Sequence, residues 1–303
     1  MNWRNFSLVI AFTFSSIATF AQSNLLNAKT PADIGKKTAA QLNADNDKPL
    51  PYGYVDDRDV LMGKKIWEIV DLDERVNFPL YYPVDGNLGP DRKPLYEVLV
   101  DGIKNNKLTE IYDDSYFTTK KSLKDIEASL FRIDTTDAGK EQYNTFTAKQ
   151  KKAGAKISEE YINKTEIRPS DVSDYKIVGY WYFDTRQGEL KYRMLGICPI
   201  VPDVYTMDKE EKEYIELFWV YFPSARDVLH ANKAFNDKNS AMPITFDHLL
   251  NSRRFSGVIY REENVYGDRQ IEEYVKENAQ MQLLESERVK EKIRNFEQDM
   301  WNY

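Results

Sequence analysis

Three strand-like runs crowd the stretch from Tyr175 to Pro223, and two of the chain's five tryptophans lie among them. In YKIVGYWYFD the alternation sets Tyr175, Ile177, Gly179, Trp181 and Phe183 on one face, with Lys176, Tyr180, Tyr182 and Asp184 on the other. Such a strand is half-buried. The loop Thr185-Arg186-Gln187-Gly188 reverses the chain into ELKYRMLGICPIV. There Leu190, Tyr192, Met194, Cys198 and Ile200 oppose Glu189, Lys191 and Arg193, and the half from Leu195 to Ile200 is apolar on both faces. A third run, Ile215 to Phe222, is almost wholly apolar and reads as a central strand stopped by Pro223. A chain built around these runs is expected to be α+β, with a mainly antiparallel sheet centred on 175–222, flanking helices and a long C-terminal helix.

The N-terminus reads as an export signal. Arg4 precedes the apolar run Leu8 to Phe14, and Thr19-Phe20-Ala21 offers small residues for cleavage between Ala21 and Gln22. Removing residues 1–21, whose only charge is Arg4, takes the net charge from -7 to -8. No cysteine follows the apolar run to receive a lipid, and no other stretch approaches the roughly 20 apolar residues that span a bilayer. An exported product without a direct membrane span is expected. The negative balance and the lack of a basic concentration argue against nucleic acid as a partner. Cys198 is the only cysteine, so no internal disulfide forms, and its place beside Pro199 in an apolar strand implies burial.

Residues 22–51 are polar, punctuated by Pro31, Pro49 and Pro51, and read as an extended arm. An α+β core is expected over 52–265. In its first part Ile66, Trp67, Ile69, Val70 and Leu72 enter the core, while Leu80, Tyr81 and Tyr82, between Pro79 and Pro83, read as too constrained for helix. Leu95, Val98, Leu99 and Ile103 mark an amphipathic helix to Lys104. LTEIYDD reads as a short strand. Ser122 caps a helix carrying Leu123, Ile126, Leu130 and Ile133. Residues 134–156 are polar and read as a mobile insertion. Behind Pro223 a helix from Ser224 to Phe235 is expected to turn Val228, Leu229 and Phe235 inward, followed by a short helix from Thr245 to Asn251 and a strand at Val258, Ile259 and Tyr260. RRFSGVIYREENV also echoes KKIWEIVDLDERV faintly, as an internal repeat would.

The C-terminal segment, 266–303, is dominated by one helical pattern from Asp268 to Trp301, about 50 Å long if continuous. Val289, Ile293, Phe296 and Met300 step 4-3-4, and Glu285-Ser286-Glu287-Arg288 interrupts the stripe. A seam this narrow suits a partner helix or a groove, so these four residues are candidate partner contacts; the alternative is a helix folded back on its own sheet.

Chemistry is sparse. His230 and His248 are too few for a histidine metal site, and no phosphate-cradling glycine loop, HExxH or Gly-x-Ser-x-Gly is present. The pairs Asp56-Asp57, Asp113-Asp114, Glu159-Glu160 and Glu262-Glu263 could supply an acid and a base for glycoside hydrolysis, but 49 acidic residues make adjacent pairs inevitable. No catalytic, metal or cofactor residue is assigned. The 20 tyrosines keep open a carbohydrate-active enzyme or carbohydrate-binding module as the rival reading.

Several segments taken in order resemble the GldN family, called PorN in non-gliding relatives: YVDDRDVLMGKKIW, NFPLYYP, WYFD with its hairpin and LGICP, LFWVYFPSAR, VIYREENVYGDRQIEEY and LLESERVKEKIRNFEQDMW. The resemblance covers essentially all of the chain after the signal. It implies a non-enzymatic periplasmic component of the gliding motility and type IX secretion machinery of Bacteroidetes. It further implies self-association in a ring with the lipoprotein GldK beneath the outer membrane, and contact with the periplasmic region of GldM.

Overall fold

The computed structural model describes residues 48–84, 92–146, 158–207, 209–235, 244–276 and 278–301. Within it, Pro49–Asn236 and Pro243–Tyr303 form one compact unit. Ala21 and Gln22 lie outside the described residues, as do 147–157 of the expected insertion.

In chain order, β1 (Val60–Asp71) leads through Asn77 into the short helix α1 (Phe78–Tyr81) and then α2 (Leu95–Lys104). β2 (Ile111–Tyr112), α3 (Leu123–Leu130), β3 (Phe131–Thr135), α4 (Asp137–Thr145) and β4 (Ile162–Glu166) follow. The central hairpin is β5 (Asp174–Asp184) and β6 (Glu189–Pro202). After it come β7 (Tyr214–Glu216), β8 (Trp219–Tyr221), α5 (Phe222–Ala231), β9 (Lys233–Ala234), β10 (Ile244–Thr245) and α6 (Phe246–Asn251). β11 (Val258–Glu262), α7 (Ile271–Tyr274) and α8 (Ala279–Trp301) complete the chain.

Among the described residues the main sheet has seven strands in the order β11-β1-β5-β6-β8-β2, with β7 pairing β6, and every pairing is antiparallel. The chain is therefore α+β. Helices cover one face. α2, α5 and α6 bury Leu95, Leu99, Phe222, Leu229, Phe246 and Leu250 against Tyr175, Ile177, Ile197 and Val201. The opposite face carries a smaller cluster of Trp67, Val178, Cys198 and Trp219, roofed by Tyr112, Phe117 and Tyr260.

The hairpin pairs over its whole length, from Asp184 with Glu189 to Asp174 with Ile200. One irregularity changes the faces of β6. Val178 pairs Gly196 and Gly179 pairs Met194, so Leu195 is an extra residue. Such a bulge turns the alternation over. Met194 consequently packs with the helices while Cys198 joins the cluster on the opposite face, not the shared face expected from period two.

Other expectations are corrected in detail. The run Ile215 to Phe222 is two short strands, because Leu217 and Phe218 leave the ladder to fill the helical core, and Phe222 already opens α5. Pro79 and Pro223 both sit in a first helical turn, where no amide hydrogen is needed, so α1 forms where helix was excluded and α5 starts before Ser224. The Ser224 hydroxyl donates to the Tyr221 carbonyl at 2.8 Å. α5 ends at Ala231, leaving Phe235 beyond it, exposed under Arg92. Ser122 and Asp125 form a capping box on α3, but the helix stops at Leu130 and Ile133 lies on β3, exposed. Part of the expected insertion is regular: β3 pairs β4, and Thr136 caps α4. The echoing segments meet as antiparallel neighbours β1 and β11, with Ile66 opposite Glu262.

Buried polar groups stitch this frame. The Asn77 amide donates to the carbonyls of Asp71 (2.6 Å) and Ser256 (3.0 Å), and its oxygen accepts from the Ser256 N–H (2.8 Å). The Glu68 carboxylate, buried on β1, accepts two hydrogen bonds from Arg253 at 2.8 and 2.9 Å. That guanidinium lies 4.2 Å from the Tyr192 ring centre and 5.2 Å from that of Trp181.

Candidate functional site

The acidic pairs are engaged in local structure. Asp56 caps the turn before β1 and meets Arg58 at 3.2 Å, and those hydrogen bonds hold its carboxyl below the ordinary range. Asp113 meets Lys121 at 2.8 Å. Burial works to raise the pKa of Asp114, but the Thr118 hydroxyl and the N–H groups of Thr119, Thr118 and Tyr116 outweigh it and keep the carboxyl low. Depressed pKa values are the reverse of what a glycosidase's proton donor needs. Glu262 pairs with Lys64, Glu263 accepts the Lys65 N–H, and Glu159-Glu160 sit in the turn Glu159–Tyr161. Among the described residues no three His, Cys, Asp or Glu side chains gather as a metal ion requires. Cys198 is fully buried, and burial pushes its thiol far above the ordinary range, away from nucleophilic use.

A strap over 51–55 crosses beside the hairpin. Its Tyr52 ring lies under two guanidinium groups, Arg226 at 4.3 Å and Arg193 at 4.6 Å. The Tyr52 hydroxyl donates to Asn251 (2.8 Å), the Asn251 amide donates to the Asp247 carboxylate (2.8 Å), and that carboxylate takes two bonds from Arg226 (2.8 and 3.0 Å). Arg193 and Arg186 donate to the strap carbonyls of Gly53 and Tyr54 at 3.1 and 2.7 Å. Between strap and hairpin lies a cleft of about 280 Å³, lined partly by Tyr52, Tyr54, Tyr182 and Tyr192. A sugar stacks on a free aromatic face. Here Tyr52, Tyr182 and Tyr192 already carry arginines, and only Tyr54 is widely exposed.

The C-terminal segment is not one helix. It is broken between α7 and α8, and α8 is about 35 Å long from its 23 residues. Of the four seam residues, Val289 and Ile293 are buried against Ile66, Ile259 and Ile271 of the same chain. Phe296 is half-buried with its ring 6.0 Å from Phe183, and Met300 is half-buried. Ser286, in the polar interruption, is fully buried, and its hydroxyl accepts the Ile259 N–H at 2.9 Å. It caps the outer edge of the terminal strand β11, where Arg261 bridges to Gln270.

Sequence reasoning missed a second feature here. Tyr266, Tyr274, Met281 and Leu284, at the corner between β11 and α8, are exposed large apolar side chains. The helical stripe directed attention to the inward positions, and these four fall outside it; a helical wheel phased on Ser286 would have revealed Leu284 as outward.

A family profile described as gliding motility associated protein GldN matches residues 55–302, taking in the entire sheet and α8. No curated protein matches the chain.

Proposed function

The chain belongs to the GldN family of gliding motility associated proteins, and from that membership we propose that it is a non-enzymatic structural subunit of the gliding and type IX secretion machinery. In this reading it is exported to the periplasm and self-associates in a ring with the lipoprotein GldK at the inner face of the outer membrane. It also contacts the periplasmic region of GldM. The observation that carries the reading is the extent of the family match, which runs from the strap through the sheet to the last helix. The engaged acidic pairs and the occupied tyrosine faces supply support of a different kind, since they lend nothing to the carbohydrate reading.

Deleting the encoding gene should abolish cargo secretion and surface movement, and the protein purified from envelopes should carry GldK and GldM. Normal secretion in the deletion strain, or a solitary monomer in the envelope, would end the proposal. Phe296 and Met300 are only half-buried, Phe296 against Phe183, and so keep surface with which to meet a companion. Changing both to Glu should leave a folded protein that no longer co-purifies with GldK or GldM; unchanged co-purification would remove them from the interface.

A further inference from the structure

Exposed apolar side chains gather at this corner. Tyr266 is 75% exposed at the tip of the loop after β11, Met281 50% and Leu284 62%. The Arg269 guanidinium lies over both Tyr266 (5.6 Å) and Tyr274 (4.8 Å). The Tyr274 hydroxyl donates to Glu285 at 3.2 Å. Met281 stands four residues before Glu285 and three before Leu284, so it neighbours both on α8. Loop, α7 and α8 thus contribute neighbouring parts of one surface.

The corner is fixed in advance. The Asn264 and Tyr266 N–H groups donate to Asp268 (3.0 Å) and Asn264 (2.9 Å), and Gly267 and Asp268 both take left-handed backbone, with φ of 78° and 56°. The Tyr116 hydroxyl ties Asp268 to the loop after β2 at 3.1 Å. Little conformational freedom is left for a partner to remove. Tyr, Arg and Met are also residue types that interfaces favour.

Charge identifies the occupant. From Glu262 to Glu285 the sequence has seven acidic residues against two basic ones, Arg269 and Lys276; Arg269 is spent between two tyrosines, and Glu262 and Glu285 are paired with Lys64 and Arg288, which leaves the excess to the acidic residues between them. Glu263, Glu272 and Glu273 are exposed at this corner. A second copy of this surface would set acid against acid, whereas a basic segment would meet complementary charge at the rim.

We propose that Tyr266, Tyr274, Met281 and Leu284 form the docking surface for a basic amphipathic segment of a different protein. The inference rests on this surface alone and holds whether or not the ring reading above does.

The test places photoreactive benzoylphenylalanine at Tyr266, and separately at Leu284, in the full chain within its own cells. Irradiation should yield an adduct with a Lys/Arg-rich peptide of another protein. Exchanging both Glu272 and Glu273 for Lys should cut its yield about tenfold or more while leaving the far-ultraviolet spectrum unchanged. Raising the salt on isolated envelopes should lower the yield as well. An adduct to a second copy, to lipid or to an acidic peptide, no adduct, or one that survives charge reversal and salt would each overturn the proposal. Loss of gliding and secretion is a separate readout, so failure of the docking claim is distinguishable from failure of the proposed function.

Discussion

The half of the sheet under α2, α5 and α6 and the half under α8 are held by different means. The first is a wide apolar core in which Tyr175, Ile177, Ile197 and Val201 meet helix after helix. The second, among the described residues, has the smaller apolar centre of Ile66, Ile259, Ile271, Val289 and Ile293, and adds the Glu68–Arg253 pair and the Ser286 hydroxyl. Apolar burial grows with area and tolerates repacking, whereas buried polar groups are satisfied by one geometry and cost heavily when a partner is lost. The first half is thus fastened by volume and the second by address.

The largest effect should come from the second half. Arg253→Met leaves the Glu68 charge buried without its partner, and is expected to cost about 3–5 kcal/mol in urea unfolding. Adding Glu68→Met should recover most of it, and failure to recover would show that the guanidinium acts by packing on Tyr192 instead. Ile177→Ala in the first half should cost about 2–5 kcal/mol, through lost burial and a cavity, in a single transition. If α8 came off separately in that variant, the comparison would sharpen into two folding units. Ser286→Ala orphans the Ile259 N–H and should cost about 1–3 kcal/mol. Amide exchange should quicken at Ile259 before it does at Ile177; uniform acceleration would break the distinction.

The smallest effect tests an exception in the first half. Burial raises the pKa of Asp174, and Asp71 lies directly opposite it across β1 and β5. A carboxyl whose folded pKa is raised takes up a proton more readily when folded, so stability increases as pH falls through that pKa. Asp174→Asn should therefore stabilise at pH 7, and the gain should shrink toward zero as the pH drops below the unfolded carboxyl's value of about 3.9. A gain independent of pH, read from thermal midpoints, would mean that charge is not its cause.

The regular parts of the fold were legible where one periodicity ran unbroken. β5 with the part of β6 up to Met194, α2 and the Ser122 cap all followed from spacing and cap chemistry. Legibility failed where tertiary structure interrupted a pattern. Leu195 bulges and turns Cys198 over, Leu217 and Phe218 leave their strand for the core, and a break parts α7 from α8. The first two have no local signal, because an apolar residue reads alike in a ladder and beside one; the break has one in Asn278, whose side chain accepts the Met281 N–H at 3.0 Å at the start of α8. The site was less legible. Val289 and Ile293 could be picked out as a stripe, but what the stripe faces depends on β1 and β11, hundreds of atoms away in the chain. Ser286 looked like a gap in the stripe because a hydroxyl buried under a strand edge is indistinguishable, in sequence, from one in water.

The cover that α8 provides for β11 has a bearing on how the protein is made. In the exported protein proposed above, folding waits for translocation, which runs from the N-terminus, so the whole sheet crosses before the helix that closes its outer edge. During that interval β11 offers open N–H and C=O groups to any neighbouring unpaired strand. A brief adhesive adolescence follows, ended when α8 arrives.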